Sequence, residues 1–157
     1  MRVSKTNAMR ILDGKKVEYK IFTYDNEDGK IHGTAVADKI GKQADTVFKT
    51  LVSQSGSDLF VFVIPVSCEL DLKKAAKAAG AKKMEMLPVK ELKKWTGYVR
   101  GGCSPVGMKK LYPTFIDKSA ADLDTMIVSA GKIGVQMEVK PQQLAEAVEA
   151  KFIELMN

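Results

Sequence analysis

The chain contains a strong strand candidate at positions 46–52, Thr46-Val47-Phe48-Lys49-Thr50-Leu51-Val52. It is rich in the β-branched and aromatic residues that favour strands. A turn at positions 55–58 and a continuous apolar run, Leu59–Ile64, follow it, so the two segments predict an antiparallel hairpin. An unbroken apolar run is typical of a strand that is covered on both faces. We therefore expect the second strand of this hairpin to be buried on both sides.

Lys49 interrupts an apolar face of the hairpin. Because side chains alternate along a strand, Val47, Lys49 and Leu51 share one face. A lysine that is buried without a partner is costly, and it usually finds a carboxylate, a carbonyl oxygen or a cavity. Two interpretations stay open: the ammonium enters a pocket and holds an oxygen-rich ligand, or the lysine protects an edge strand against aggregation.

The second informative segment is Gly97-Tyr98-Val99-Arg100-Gly101-Gly102-Cys103-Ser104-Pro105-Val106-Gly107, which holds four of the 12 glycines. Tyr98 and Val99 are interpreted as the end of a strand, and Gly101-Gly102 as a sharp bend that exposes backbone N–H groups. Such a bend can bind a carbonyl, carboxylate or phosphate oxygen. The alternative is a glycine-rich connection without a ligand.

Working outward, the apolar periodicity and the capping signals predict a mixed α/β order. The candidate helices are residues 4–12, 33–40, 71–79, 88–95 and a terminal helix that starts at Pro141 and carries a stripe through Leu155. The further candidate strands are residues 19–24, 84–87, 114–116, 126–128 and 135–139, with a second glycine-bearing loop at 129–134. Trp95 is expected to anchor the core, with a base-stacking platform as the alternative. We expect a strongly curved, barrel-like β-sheet with helices outside it.

Length and composition indicate an ordinary globular protein. The chain has 157 residues, of which 45% are hydrophobic and 28% charged, so we expect residues 1–157 to form a single domain. No apolar run approaches a membrane span and the N-terminus leads into no signal-peptide core, so a cytoplasmic location without membrane association is expected.

Two cysteines, Cys68 and Cys103, and one histidine, His32, are too few for a usual zinc site, so no metal is predicted. A disulfide between the two cysteines is possible in principle, but both are expected to be reduced. A catalytic triad is not convincing either, because His32 would have to serve every such scheme.

The charge of the chain is unevenly distributed. Residues 69–110 carry eleven Lys/Arg and four Asp/Glu, a net of +7, whereas the remainder carries fourteen and fifteen, a net of −1. A basic patch of this kind attracts polyanions such as RNA or DNA. A solvated lysine face kept for solubility explains the charge equally well.

Five motifs in order resemble the YbaK/EbsC family of tRNA-editing proteins. They are residues 47–51, residues 70–74, the glycine segment with Gly97-Tyr98, Gly101-Gly102 and Ser104-Pro105, residues 113–117, and residues 129–132. The resemblance covers nearly the whole chain. It implies a deacylase that acts in trans on mischarged tRNA, chiefly Cys-tRNA(Pro), and kinship with the editing domain of some bacterial prolyl-tRNA synthetases. It implies no cofactor.

The resemblance also implies roles for individual residues. Lys49 matches the essential lysine of the family, placed at the terminal adenosine and ester as a positioning and charge-stabilising group, and Gly101 and Gly102 match the loop whose backbone contacts the substrate. The candidate substrate-binding set is Tyr24, His32, Gly33, Thr50, Gly101, Gly102, Ser104, Ser129, Gly131 and Gln136. Gln136 stands where a better-known bacterial deacylase has an acidic residue, and His32 stands near an aromatic position of that protein.

In this family the substrate's own cysteine thiol is thought to attack its ester carbonyl and release a cyclic thioester, a formally lyase-like route to deacylation. Catalysis then consists of orientation and oxyanion stabilisation. Relatives clear Ala-tRNA(Pro) instead, and family members can associate with prolyl-tRNA synthetase. The competing hypotheses are an Ala-tRNA(Pro) deacylase, a non-catalytic tRNA-binding module and a small-molecule hydrolase that uses the same pocket.

Overall fold

The structure is a computed structural model, and it describes residues 4–156. Five helices and eight strands are joined by short connections and two short 3₁₀ helices. The helices are α1 (Asn7–Gly14), α2 (Gly33–Lys39), α3 (Leu72–Ala79), α4 (Val89–Thr96) and α5 (Pro141–Val148). The strands are β1 (Tyr19–Thr23), β2 (Phe48–Ser55), β3 (Asp58–Pro65), β4 (Glu85–Met86), β5 (Thr114–Asp117), β6 (Met126–Lys132), β7 (Val135–Val139) and β8 (Lys151–Ile153).

Helix α3 shows how local sequence sets the boundaries. The Asp71 carboxylate accepts hydrogen bonds from the amides of Lys73 and Lys74, which caps the N-terminus. Gly80 ends the helix in the left-handed region with φ 71°, where glycine has no steric penalty. The same logic corrects the first predicted helix, since Thr6 accepts from the amide of Met9 and the helix begins at Asn7.

The strands form two sheets. The larger has the order β4-β2-β3-β5-β8, in which β4, β2 and β3 are antiparallel neighbours and β5 and β8 join in parallel. The smaller has the order β1-β7-β6 and is antiparallel throughout. An isolated parallel bridge between Val47 and Ile127 connects the two. The predicted β2–β3 hairpin is confirmed.

The two faces of β3 are both buried, as the apolar run predicts. Val61 and Val63 belong to the main core, and Phe62 and Ile64 pack with α3 on the other side. The barrel-like curvature is not supported, because within residues 4–156 neither sheet closes or curls strongly. The strands after β5 do not extend the larger sheet in sequence order: β6 pairs with β7, and β7 pairs with β1.

Two further expectations are wrong. Tyr98 and Val99 do not end a strand, because they follow directly on α4 and its cap Gly97. The terminal helix stops at Val148, where Glu149 adopts φ 54°, and the chain continues as strand β8 beside β5. Within the described residues no helix combines the length and apolar character needed to cross a bilayer.

Candidate active site

Two adjoining cavities share part of their lining, and the smaller of them lies where the two sheets meet. The smaller, of about 90 Å³, is called here the inner pocket; the larger, of about 500 Å³, is called the outer groove. The residues that line both are Gly33, Lys49, Thr50, Val66, Gly101 and Cys103. These shared residues mark the junction through which a bound molecule would extend from one cavity into the other.

Lys49 lies at this junction, near the start of β2. It pairs in register with Ile64, and its side chain is half-buried. The five ion pairs and the side-chain hydrogen bonds found within residues 4–156 do not include Lys49. Its ammonium is therefore available for an oxygen-rich ligand, which is the first of the two interpretations above.

The groove lies along a part of β2 that has no neighbouring strand. Strand β4 pairs with Ser53 and Gln54, and the amide of Leu87 donates to the carbonyl oxygen of Val52, so the stretch from Lys49 to Leu51 is open on that side. The lysine thus also occupies a local sheet edge, as the second interpretation has it. The two interpretations are compatible in this structure.

The glycine segment forms the opposite wall. Gly101 has φ 88°, and a Cβ atom added there would lie 2.8 Å from Cδ1 of Ile31. The amide of Gly102 donates to the carbonyl oxygen of Val99, which closes the bend. Among residues 4–156 the amides of Gly101 and Cys103 donate to no backbone carbonyl. The bend therefore leaves N–H donors beside the junction, as predicted.

The smaller sheet supplies the polar floor of the inner pocket. Ser129 on β6 and Gln136 on β7 are directly opposite in the strand register, and both line the pocket. Ser129 Oγ also accepts a hydrogen bond from the amide of Gly131. Thr50 adds a hydroxyl from the larger sheet, and its Oγ1 is buried without a hydrogen-bond partner in the described structure. The pocket is thus assembled from both sheets.

His32 and Gly33 lie at the start of α2. His32 is exposed and lines only the outer groove. Gly33 faces Val66 so closely that an added Cβ would lie 2.5 Å from Val66 Cβ. The loop before them is fastened by Lys39, whose Nζ donates to the carbonyl oxygens of Asp25 and Lys30 and to Asp28 Oδ1.

Four predicted site residues do not line either cavity. Tyr24 is buried, and Lys39 Nζ lies 5.8 Å from the centre of its ring. Gly102 packs against the backbone of the β6–β7 turn, where an added Cβ would lie 3.0 Å from the amide nitrogen of Ile133. Ser104 Oγ accepts from the amide of Val106. Gly131 faces the ring of Tyr98, 3.0 Å from an added Cβ. These contacts support the walls around the junction.

Cys103 is a pocket residue that sequence reasoning missed. It lines both cavities and is buried, and this burial raises the pKa of its thiol to about 12. Its position directly after Gly101-Gly102 was a signal that could have found it. Both cysteines are free thiols, as expected. Within the described residues no cluster of His, Cys, Asp and Glu could hold a metal ion.

The inner pocket combines one cation with hydroxyl, amide and backbone donors. Its lining contains Lys49 and no carboxylate. Such a site can orient an ester and stabilise negative charge on its carbonyl oxygen. The lining of the inner pocket contains hydroxyl and thiol groups, but no histidine or carboxylate that could deprotonate them.

Residues 32–147 match the aminoacyl-tRNA editing domain family. A curated relative from Enterococcus faecalis, named "Putative Cys-tRNA(Pro)/Cys-tRNA(Cys) deacylase EbsC", is 44% identical over 152 residues, which is 96% of this chain and 93% of the relative.

Two solved structures share the fold. A hypothetical protein has a TM-score of 0.88 at 18% identity, with 97% of this chain and 100% of the other covered. A "putative trans-editing enzyme for prolyl tRNA synthetase" has a TM-score of 0.83 at 19% identity, with 99% of each chain covered. From the match over residues 32–147 and the 44% identity over nearly the whole chain, this protein belongs to the aminoacyl-tRNA editing domain family.

Proposed function

We propose that the protein is an aminoacyl-tRNA deacylase that acts in trans on Cys-tRNA(Pro), with Cys-tRNA(Cys) as a second substrate, and so maintains translational fidelity. The observation that carries this proposal is the Lys49 ammonium, which has no carboxylate partner among the described residues, at the junction of a small pocket and a larger groove. Family membership and the name of the 44% identical relative support it.

The two cavities suit the two parts of a charged tRNA end. The inner pocket is small and has the polar floor of Ser129 and Gln136, which suits a short amino-acid side chain and its amino group. The outer groove is larger and is lined by apolar side chains such as Leu51, Leu87 and Leu92, which suits the base and ribose of the terminal adenosine. The scissile ester then lies at the junction, beside Lys49.

The proposed chemistry uses the substrate's own thiol. The cysteinyl sulfur, as its thiolate, forms a bond to the ester carbonyl carbon, and the bond from that carbon to the ribose oxygen breaks. The ribose oxygen takes up a proton, and the cyclic thioester that leaves is later hydrolysed by water, so the net result is deacylation. Lys49 and the free amides near Gly101 stabilise the carbonyl oxygen as it becomes negative.

In this proposal the residues of the inner pocket support the reaction of the substrate thiol. Cys103 stays protonated at neutral pH because its thiol pKa is about 12, so it is a poor nucleophile. The lone charge of Lys49 favours the thiolate of a bound cysteinyl group over its neutral form. We assign to Thr50 and Gln136 hydrogen bonds with the amino group and ester of the substrate.

The test is deacylation of Cys-tRNA(Pro) and Ala-tRNA(Pro) side by side, with wild type and Lys49→Ala. We expect rapid loss of the cysteinyl ester and at least a 100-fold loss of rate in the variant, in line with removal of one oxyanion-stabilising group. Circular dichroism and the melting temperature check that Lys49→Ala is folded. Unchanged turnover in a folded variant would contradict the role of Lys49.

The amino acid decides the mechanism. Loss of the alanyl ester alone would exclude self-attack, because alanine has no thiol, and would favour a water reaction. His32 is then the candidate base, since it is the histidine that lines the groove. If neither ester is lost while tRNA still binds, the protein is a tRNA-binding module. Cleavage of simple aminoacyl esters at the same rate as aminoacyl-tRNA would indicate a small-molecule hydrolase.

We also infer that prolyl-tRNA synthetase is a partner, since a small domain has limited surface with which to identify a whole tRNA. The family resemblance is the ground for this inference. Sedimentation of the purified pair with and without tRNA(Pro) tests it. Two independent boundaries under both conditions would count against the association.

A further inference from the structure

Trp95 is placed differently from the core anchor that its sequence context predicts. It is the single tryptophan of the chain, and 42% of its surface is exposed. It lines a cleft of about 230 Å³ together with Asp58, Lys110 and Leu111, and Leu111 is itself 56% exposed. We call this the Trp95 cleft. An exposed indole face beside an apolar side chain is typical of a binding surface.

Helix α4 separates this cleft from the outer groove. Val89 and Leu92 line the groove, whereas Trp95 lines the cleft. Val89 and Trp95 are six residues apart, which corresponds to about 9 Å along the helix axis. A strand of nucleic acid that leaves the groove therefore needs to advance by only a few nucleotides to reach Trp95.

The exposed face of α4 is basic along this path. At 3.6 residues per turn, the order from the Val89 flank to the Trp95 flank is Lys93, Lys90, Lys94 and then Glu91, and all three lysines are exposed. Lys94 Nζ lies 5.0 Å from the centre of the Trp95 ring. Lys109 Nζ donates to the carbonyl oxygen of Lys94, which adds a further cation beside the cleft.

We propose that the Trp95 cleft binds RNA, and that Trp95 stacks on an unpaired base of the tRNA 3′ end while the lysines of α4 contact its phosphates. The proposal rests on the proposed function for the identity of the RNA. Aromatic side chains interleaved with cations are the usual platform for unpaired nucleotides.

Charge complementarity favours RNA over a protein partner. Five lysines surround the path and the cleft, at positions 90, 93, 94, 109 and 110, against two carboxylates, Glu91 and Asp58. The excess of three positive charges matches a phosphate backbone. The half-exposed indole ring matches any base, because stacking is tolerant of sequence.

The single tryptophan makes the test direct. Uncharged tRNA(Pro) transcript is titrated into the wild-type protein and the fluorescence of Trp95 is recorded, with N-acetyltryptophanamide as the correction for absorbed light. Uncharged tRNA keeps this measurement independent of deacylation. We expect the quenching to saturate. The tRNA concentration at half-maximal quenching should rise as the salt concentration rises.

Matched variants are measured by filter binding. Trp95→Leu should weaken the affinity by about 5- to 150-fold, the range for loss of one stacked base, and Trp95→Phe should restore most of it. Lys94→Gln should lower the slope of log affinity against log salt by about 0.7, the value for one phosphate of a single strand. Lys151→Gln is the control, since Lys151 lies on β8 at the opposite edge of the larger sheet.

The outcomes separate this proposal from the proposed function. Quenching with weaker binding by Trp95→Leu supports the cleft even if no ester is cleaved. Active deacylation with tRNA binding that neither quenches Trp95 nor changes in Trp95→Leu would overturn the cleft and leave the function intact. Quenching by prolyl-tRNA synthetase in place of tRNA would assign the surface to a protein and overturn the RNA proposal.

Discussion

Cys103 lies in the inner pocket, yet burial keeps its thiol protonated. Its pKa of about 12 means that the thiolate forms only in strongly alkaline solution. We expect Cys103→Ala to retain deacylation within about three-fold, because a neutral thiol contributes little as a nucleophile. Steady-state kinetics on Cys-tRNA(Pro) measures this. A loss as large as that of Lys49→Ala would show that the thiol reacts after all.

Gly101 tests the geometry of the glycine bend. Gly101→Ala strains a φ of 88° and pushes against Ile31, whereas Gly41→Ala strains a φ of 71° in open space. Each substitution should cost about 1–2 kcal/mol of unfolding free energy, the usual penalty for a side chain in the left-handed region. Only Gly101→Ala should lower kcat/KM, by at least 10-fold, because the bend lines the junction. Equal activities for the two variants would contradict that assignment.

At the scale of single residues the sequence was informative about chemistry and less so about contacts. Lys49 was identified because a cation in an apolar strand needs an explanation, and the structure places it at a cavity junction. Gly102 and Gly131 also need glycine, but for close approach to other parts of the protein. A glycine in the sequence does not reveal whether a ligand or another backbone occupies the space it leaves.

Among the elements, the loop before α2 is tied to that helix by the Lys39 side chain. Lys39→Met removes three hydrogen bonds, to Asp25, Asp28 and Lys30, and should speed amide exchange of residues 25–33. Because Ile31 from this loop packs on Gly101, kcat/KM should fall several-fold. Lys42→Met is the control, since Lys42 follows the same helix and lies 3.8 Å from Glu138 instead. Unchanged amide exchange in Lys39→Met would contradict the role of Lys39 in holding this loop.

The contact between Lys39 and Asp28 also predicts that the stability of this loop depends on pH. The hydrogen bond from Lys39 holds the pKa of the Asp28 carboxyl below its ordinary value of 3.8, with the amide of Lys30 as the second cause. A carboxyl whose pKa is lowered in the folded state stabilises the folded state at pH values above its ordinary pKa. This stabilisation is lost as the pH falls through the lowered pKa. The Lys39–Asp28 contact should therefore be fully formed at neutral pH, and the loop should become more mobile only in strong acid.

Secondary-structure elements with explicit capping or alternation were predicted well. Strand β7 agrees with the predicted residues 135–139, and α3 agrees apart from its capping residue. The C-terminus was predicted wrongly, because Phe152 and Leu155 happen to continue the helical spacing of Leu144 and Val148. Their burial comes instead from the packing around β8, where Phe152 is opposite Ile116. Pairing with a distant strand leaves no local signal.

On the scale of the whole molecule, we predict that residues 1–157 fold as one domain. The main core takes side chains from both sheets and from α1 and α5, so neither sheet buries its apolar face alone. Thermal unfolding followed by circular dichroism and by Trp95 fluorescence should give one coincident transition. Two separated transitions would show that the sheets belong to independent units.

The overall architecture was predicted to the level of class. A mixed α/β order follows from the alternation of periodicities, and the structure confirms it. The division into two sheets could not be predicted, because it depends on which strands pair after β5. Each candidate strand had the composition for several partners, and the choice is made by tertiary packing.

The seam between the sheets has a mechanical consequence. Lys49 and Thr50 belong to one sheet and Ser129 and Gln136 to the other, and within residues 4–156 one backbone bridge, Val47 to Ile127, joins the sheets. The spacing between these groups therefore depends on how the two sheets pack against each other across the shared core. A small shift of one sheet against the other changes this spacing before either sheet loses its own hydrogen bonds. Mild denaturant should therefore abolish turnover at concentrations where circular dichroism still reports a native protein.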